Sequence, residues 1–201
     1  MTMLYASWVH GNSVQLQRPG SASVTGKNGV ISVFKDRRQD GDILYLDHCA
    51  GVACLRIGWA ARFVVFDTGK KDKEKNGTFW VHYAIPTPVI ISNVRVKAET
   101  VLINYESSNI SALSIRAVHV WDGNKRIFAD NSPTISADDF NGGISNYTTN
   151  ATVTPNLSRL WRGSLGNREV FFGIGVSIKI RAQGAKNDKF DIRSVGVDFQ
   201  V

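Results

Sequence analysis

The feature that most constrains the fold of this chain is a strict two-residue alternation near its C-terminus. Within residues 170–182, apolar residues occupy every second position: Ile174, Val176, Ile178 and Ile180. The positions between them hold small or polar residues: Gly175, Ser177, Lys179 and Arg181. Successive side chains of a β-strand point to opposite faces, so this period is typical of a strand with one buried and one exposed face.

The same alternation recurs along the chain and predicts an all-β protein. Further apolar residues occur at every second position in three more runs: Phe79, Val81 and Tyr83; Val101, Ile103 and Tyr105; Val195, Val197 and Phe199. Turn signals such as Asn76-Gly77 and Asp122-Gly123 separate the runs, and no helical pattern exceeds two turns. Short strands with one apolar face each pack best as two facing sheets. We therefore expect an antiparallel β-sandwich of jelly-roll type with about ten to twelve strands.

The chain is expected to form a single domain. Its 201 residues fall within the usual size of one domain and are enough to bury a core without disulfides. The segment from Ala129 to Arg159 departs from the strand pattern, because it is rich in Asn, Ser, Thr and Asp and lacks periodicity. We expect one sandwich domain over residues 1–201 with a long irregular loop at 129–159, and loops of this length are often functional.

Three short motifs place a tryptophan two residues from a histidine. They are Trp8-Val9-His10, Trp80-Val81-His82 and His119-Val120-Trp121. The chain has five Trp and four His, so most of both types lie in these motifs. Residues two apart in a strand share a face. Each motif is therefore predicted to present an indole and an imidazole side by side, with the valine facing the other way.

The motifs and their surroundings resemble a group of known proteins. Ala6–Gly11, Trp80–Val89 and Val118–Gly123 are similar to segments of a family of small bacterial β-rich proteins of unknown function. The resemblance covers the first two-thirds of the chain and is strongest at these three segments. It implies a bacterial origin and no catalytic assignment, because no activity is established for that family.

We interpret the Trp-His motifs first as a binding platform. A flat indole stacks on the apolar face of a sugar, while imidazole and carboxyl groups bond its hydroxyls. The predicted function is a non-catalytic, lectin-like binding module for a glycan or another small ligand. The residues expected to line its site are Trp80, His82, His119, Trp121, Asp122, Trp8 and His10.

Two other interpretations of the motifs are open. Neutral imidazoles from His10, His82 and His119 would form a cupin-like metal centre if their strands were neighbours. This hypothesis makes the protein a His-dependent metalloenzyme with a divalent metal as cofactor. Alternatively, the indoles fill the core and the histidines bond backbone carbonyls at its margin. The binding module is preferred to the metal centre, so no cofactor is expected.

Other catalytic constellations have little support in the sequence. Ser7, Cys49 and Cys54 are candidate nucleophiles, but no G-x-S-x-G elbow occurs. His48 adjoins Cys49, and neighbouring residues of a strand point to opposite faces, so this histidine is poorly placed as its base. The aspartates of two polar loops, Asp36, Asp40, Asp42, Asp130, Asp138 and Asp139, lack the ordered spacing of a calcium loop. We assign no catalytic residue, and an enzyme is the less favoured class.

Charge and local hydropathy limit the kinds of partner and the cellular location that we expect for this protein. The formal net charge is +7, but no nucleic-acid-binding motif accompanies it, so nucleic acid is not an expected partner. No apolar run is long enough to cross a bilayer, and residues 1–10 lack a signal-peptide pattern, which favours a cytoplasmic protein. A structural or assembly subunit that forms a homo-oligomer through strand edges or the long loop is the remaining hypothesis.

Overall fold

The computed structural model describes residues 4–17, 43–45, 52–65, 77–133 and 158–201, and the fold is given for these ranges. Most of the predicted irregular loop, residues 134–157, lies outside them, as do His48, Cys49 and the aspartates at 36–42. The structure shortens the predicted loop at both ends, because one strand extends to Asp130 and another begins before Arg159.

Strands make up most of the described chain. They are β1 (Leu4–His10), β2 (Gln15–Leu16), β3 (Ile43–Tyr45), β4 (Val52–Ile57), β5 (Ala60–Val65), β6 (Gly77–Ile85), β7 (Ile90–Ile91), β8 (Val94–Arg95), β9 (Lys97–Ser107), β10 (Leu113–Asp122), β11 (Lys125–Asp130), β12 (Ser158–Glu169), β13 (Ile174–Ala182) and β14 (Lys189–Gln200). A short 3-10 turn, Gly11–Ser13, follows β1. The 14 described strands exceed the ten to twelve that were predicted, and three of them, β2, β7 and β8, have only two residues each. No helix among the described residues has the length and apolar character needed to cross a bilayer.

The strands form two antiparallel sheets that face each other and one small hairpin. The large sheet has the order β12-β9-β14-β5-β4-β3, and β1 pairs with β14 on the same edge as β5. The five-stranded sheet has the order β11-β10-β13-β6-β2. The hairpin consists of β7 and β8.

The strand order confirms the predicted jelly-roll sandwich. Four strands of the large sheet lie in the order β5-β14-β9-β12, and four strands of the five-stranded sheet lie in the order β6-β13-β10-β11. Along the chain, β5, β9, β12 and β14 of the large sheet alternate with β6, β10 and β13 of the other sheet, and β11 follows β10 as a hairpin. Such crossing between sheets is the pattern of two joined Greek keys.

The hydrophobic core lies between the two sheets. The apolar residues of the alternating run in β13 are at most 3% exposed and all face this core: Ile174, Val176, Ile178 and Ile180. Phe63 of the large sheet contacts Phe79 of the five-stranded sheet, with ring centroids 5.0 Å apart. Because one side of β6, β10 and β13 is buried here, their alternate residues lie on the outer face of the five-stranded sheet, where the candidate site is found.

Candidate functional site

The Trp-His motifs of β6 and β10 lie on the outer face of the five-stranded sheet. In β6 the flanking residues are buried, whereas Trp80 and His82 point outward and remain half-buried. In β10, Val120 is buried between His119 and Trp121, which point outward. The shared face predicted within these motifs is therefore confirmed. Neither indole belongs to the core, so the core-filling interpretation is wrong for both.

The strand β13 brings these two motifs together, because it lies between β6 and β10. Ser177 of β13 is the register partner of both His82 and His119. Trp80 is opposite Lys179 and Trp121 is opposite Gly175. We call this surface the Trp-His face, and define it by Trp80, His82, His119, Trp121, Gly175, Ser177 and Lys179.

Ring contacts order the side chains of the Trp-His face. The indole of Trp80 and the imidazole of His119 meet across β13, with ring centroids 4.8 Å apart and planes tilted by 43°. The ammonium group of Lys179 lies 5.8 Å from the centroid of the Trp80 ring, which is within cation–π range. Because it is contacted by two neighbours, the indole of Trp80 has a defined position on this surface.

Hydrogen bonds fix the two histidines of the face. Nδ1 of His82 lies 2.9 Å from Oγ of Ser177, and Nε2 of His119 lies 2.9 Å from Oδ1 of Asn131. Burial lowers the pKa of His82 below its ordinary value, so this imidazole is neutral at pH 7. A neutral imidazole has one donor and one acceptor nitrogen, which suits it to bond a hydroxyl group.

Gly175 leaves an open depression at one side of the Trp-His face. Its register partners are Ala84 and Trp121, and a methyl group added at Gly175 would meet no atom within 4 Å. The ring of Trp121 therefore stands beside the depression and does not cover it. The guanidinium of Arg126 lies 6.0 Å from the centroid of the Trp121 ring. The depression thus has a glycine floor and an aromatic wall flanked by a cation.

The first Trp-His motif lies on the opposite side of the molecule. β1 belongs to the large sheet, and Trp8 covers Gly196 of β14 on the outer face of that sheet. His10 is exposed on the same face. Trp8 and His10 therefore do not join the other motifs, and the three imidazoles that a metal centre would need do not meet. Within the described ranges, no group of three His, Cys, Asp or Glu residues could hold a metal ion.

Asp122 holds the backbone of a loop and does not face the depression. Its carboxylate oxygens accept hydrogen bonds from the N–H groups of Phe171, Phe172 and Gly173, at 2.8, 2.8 and 3.0 Å. Burial alone would raise the pKa of this carboxyl, but these three bonds and the charge of Arg95 hold it below its usual range. Asp122 is only 4% exposed, so its role is to fix the loop between β12 and β13.

The two candidate nucleophiles that lie in the described chain are not activated. The hydroxyl of Ser7 donates to the carbonyl oxygen of Pro86 at 2.5 Å. Cys54 is part of the core, and burial raises the pKa of its thiol to about 12. Its reactive thiolate form is therefore nearly absent at neutral pH.

Sequence reasoning missed three residues of the Trp-His face: Gly175, Ser177 and Lys179. They alternate with the buried residues of β13, so the sequence already placed them on an exposed strand face. Their position beside the two motifs depends on the pairing of β13 with β6 and β10, which precede it by about 50 to 100 residues. Local sequence patterns contain no signal for such pairing.

Comparison with known proteins does not place the chain in a family. No protein-family model matches the sequence, and a search of curated proteins finds no match. A function can therefore be inferred only from the chemistry of the Trp-His face.

Proposed function

We propose that this protein is a non-catalytic binding module that recognises a glycan on the Trp-His face. The observation that supports the proposal most is the convergence of two indoles and two imidazoles on one outer face, beside a glycine-floored depression. Indoles stack on the apolar C–H faces of sugar rings, and imidazole and hydroxyl groups bond sugar hydroxyls. The stacking residues are Trp80 and Trp121, the hydrogen-bonding residues are His82 and His119, and the buried Ser177 positions His82.

The hydrogen bond between His82 and Ser177 favours binding over catalysis. A serine beside a histidine is the start of a nucleophilic triad, which also needs an acid that orients the imidazole. The sequences of β6 and β13 contain no Asp or Glu. The backbone on both edges of β13 around Ser177 is paired with β6 and β10, so it offers no pair of free N–H groups for an oxyanion. The Ser177 hydroxyl, on a residue that is only 8% exposed, therefore positions the His82 imidazole, which is the group that can reach a ligand.

The charge of the face favours a glycan that carries carboxylate groups. Lys179 lies beside Trp80, and Arg126 lies beside Trp121, while β6 and β13 contribute no acidic residue. A uronic acid ring that stacks on one of these indoles would bring its carboxylate to the neighbouring cation, where a charge-assisted hydrogen bond forms. We therefore favour acidic over neutral sugars. The expected bacterial origin, cytoplasmic location and homo-oligomer stay predictions from the sequence.

Alanine in place of Trp80 or Trp121 is expected to weaken glycan binding by at least about tenfold, since each change removes a stacking surface. A glycan array that includes uronic acids identifies the ligand, and calorimetric titration measures the Kd for each variant. Trp8→Ala is the matched control, because Trp8 is an exposed tryptophan on the opposite sheet. The proposal is wrong if the wild-type protein binds no glycan, or if all three variants bind equally well.

Leucine in place of Gly175 is expected to abolish binding without lowering stability. The Cβ of the new side chain would meet no atom within 4 Å, and the backbone of Gly175 is not left-handed. A larger residue in a strand also recovers about 0.5–1 kcal/mol of the backbone entropy that glycine costs. Thermal melting and the same titration measure both effects. Gly58→Leu, in an equally open turn between β4 and β5, is the control, and retained binding by Gly175→Leu would place the ligand elsewhere.

A further inference from the structure

The loops at one end of the sandwich expose a cluster of large apolar side chains. This end is where β6, β10 and β12 finish and where β9 and β13 begin. The described chain has eight exposed large apolar residues, and six of them lie here: Leu4 (70% exposed), Tyr5 (46%), Ile90 (58%), Val94 (50%), Phe171 (52%) and Phe172 (78%). We call this cluster the apolar end. Large apolar side chains gathered at one exposed end of a fold are typical of a surface that binds a partner.

Backbone pairing gathers separate segments of the chain at the apolar end. Leu4 pairs with Gln200, which in turn pairs with Lys97 at the start of β9. Just before that strand, the N–H of Val96 donates to the carbonyl of Val89, the residue before β7, at 3.1 Å, and the N–H of Val170 donates to the carbonyl of Val96 at 3.0 Å. The hairpin and the loop of residues 170–173 therefore lie side by side.

The exposed aromatic residues are held in place. Besides the three hydrogen bonds to Asp122, the N–H of Gly123 donates to the carbonyl of Gly173 at 3.0 Å. The Phe172 side chain packs on Gly123, where an added methyl group would lie 3.0 Å from it. The guanidinium of Arg95 lies 4.4 Å from the centroid of the Phe171 ring. The loop therefore presents both rings to solvent in a fixed position, although neither ring contributes to the core.

Basic side chains surround the apolar end. The exposed ones on the bordering strands, apart from Arg126 beside Trp121, are Lys97, Lys125 and Arg168, against one exposed carboxylate, Glu169, at the end of β12. We propose that the apolar end docks on a bilayer that contains anionic lipids. Phe171, Phe172 and Ile90 enter the interfacial layer, and the basic groups contact the headgroup phosphates. Apolar burial and attraction to anionic lipids act together in such binding.

The same charges disfavour a second copy of the chain as the occupant. A two-fold contact places a surface against itself, so Lys97, Lys125 and Arg168 of one copy would face the same basic groups of the other. Like charges that meet across an interface oppose association. An anionic bilayer supplies the opposite charge and also an apolar layer, and it needs no shape match to loops that project from the sheets.

Sedimentation with lipid vesicles tests the proposal. The wild-type protein is expected to bind vesicles of phosphatidylcholine and phosphatidylserine, and to bind pure phosphatidylcholine vesicles at least about tenfold more weakly. Replacing both Phe171 and Phe172 with serine should reduce binding to the anionic vesicles by at least about tenfold, because two apolar rings no longer enter the interface. Ile90→Ser with Val94→Ser, on the separate hairpin, should weaken binding in the same direction.

Controls separate a bilayer from other occupants. Trp59→Ser removes an exposed aromatic residue from the β4–β5 turn, away from the apolar end, and should leave vesicle binding unchanged. Lys97→Glu with Lys125→Glu should remove the preference for anionic lipids. The proposal is overturned if the wild-type protein fails to bind anionic vesicles, or if the Phe171→Ser and Phe172→Ser variant binds them as well as the wild type. It is equally overturned if light scattering without lipid shows a dimer that this variant abolishes.

Discussion

Replacing Asp122 with alanine is expected to lower the free energy of unfolding by about 3 kcal/mol, because three backbone N–H groups lose their acceptor at once. The three donors belong to successive residues, Phe171 to Gly173, so their loss frees the whole loop. The exposed Phe171 and Phe172 let water reach part of this backbone, which keeps the loss below that of three fully buried bonds. Urea unfolding at pH 7 measures the change. Asp130→Ala, which removes one exposed bond to Ser132, is the control and should cost less than about 0.5 kcal/mol.

The same carboxylate makes stability depend on pH in a defined direction. The pKa of Asp122 is lower in the folded protein than in the unfolded chain, because the loop N–H groups and Arg95 outweigh the opposing effect of burial. Its contribution is therefore complete above the unfolded value of about 3.9 and is lost as the pH falls through the lower, folded value. Asp122→Asn does not titrate. The gap in unfolding free energy between wild type and Asp122→Asn should be constant at neutral pH and should shrink in acid, and parallel curves throughout would refute the assignment.

Alternation in the sequence predicted the fold because it reports burial directly. In β6, β13 and β14 the apolar residues at every second position face the core, and the strand with the clearest alternation, β13, is the centre of its sheet. The pattern weakens where the ladder is irregular. In β10 the register shifts between Ile115 and Ala117, so the buried positions move by one residue. Such a bulge has no local sequence signal. Beyond it, the rule that every second residue faces the core no longer gives the correct face.

The candidate site could be predicted only in part, because the sequence pattern gives the face of a strand on which a residue lies but not which strands are neighbours. Because residues two apart in a strand share a face, the sequence alone predicted that Trp80 lies beside His82 and that His119 lies beside Trp121. Whether two such pairs meet depends on the strand between them, and β13 joins the pairs of β6 and β10. The pair in β1 joins the other sheet instead. Asp122 likewise follows Trp121 in the sequence, but its hydrogen-bond partners are about 50 residues away and only the fold reveals them.

Alanine in place of Gly11 is expected to destabilise the protein by about 3 kcal/mol or more, through the close approach of backbone segments. A methyl group at this position would lie 1.7 Å from the carbonyl oxygen of Ile192 and 2.9 Å from the amide nitrogen of Ala61. These are backbone atoms of two paired strands, β14 and β5, so neither can move aside cheaply. The carbonyl of Gly11 also accepts a hydrogen bond from the hydroxyl of the buried Tyr83 at 3.2 Å, which links the 3-10 turn to the opposite sheet.

Chemical denaturation of Gly11→Ala beside Gly175→Ala isolates this contact. Both changes add one methyl group to a glycine, but the space around Gly175 is open. The free energy of unfolding of the Gly175→Ala protein should therefore stay equal to that of the wild type or rise. A loss of stability shared by both variants would point to a general effect of the substitution, and a Gly11→Ala protein with unaltered stability would disprove the close approach.

The expected contrast also separates the roles of the Trp-His motifs. The first motif is followed by a glycine, Gly11, that lets the turn after β1 pack against the backbone of β14 and β5. The second and third motifs, in β6 and β10, leave their indoles on an outer face where a ligand can reach them.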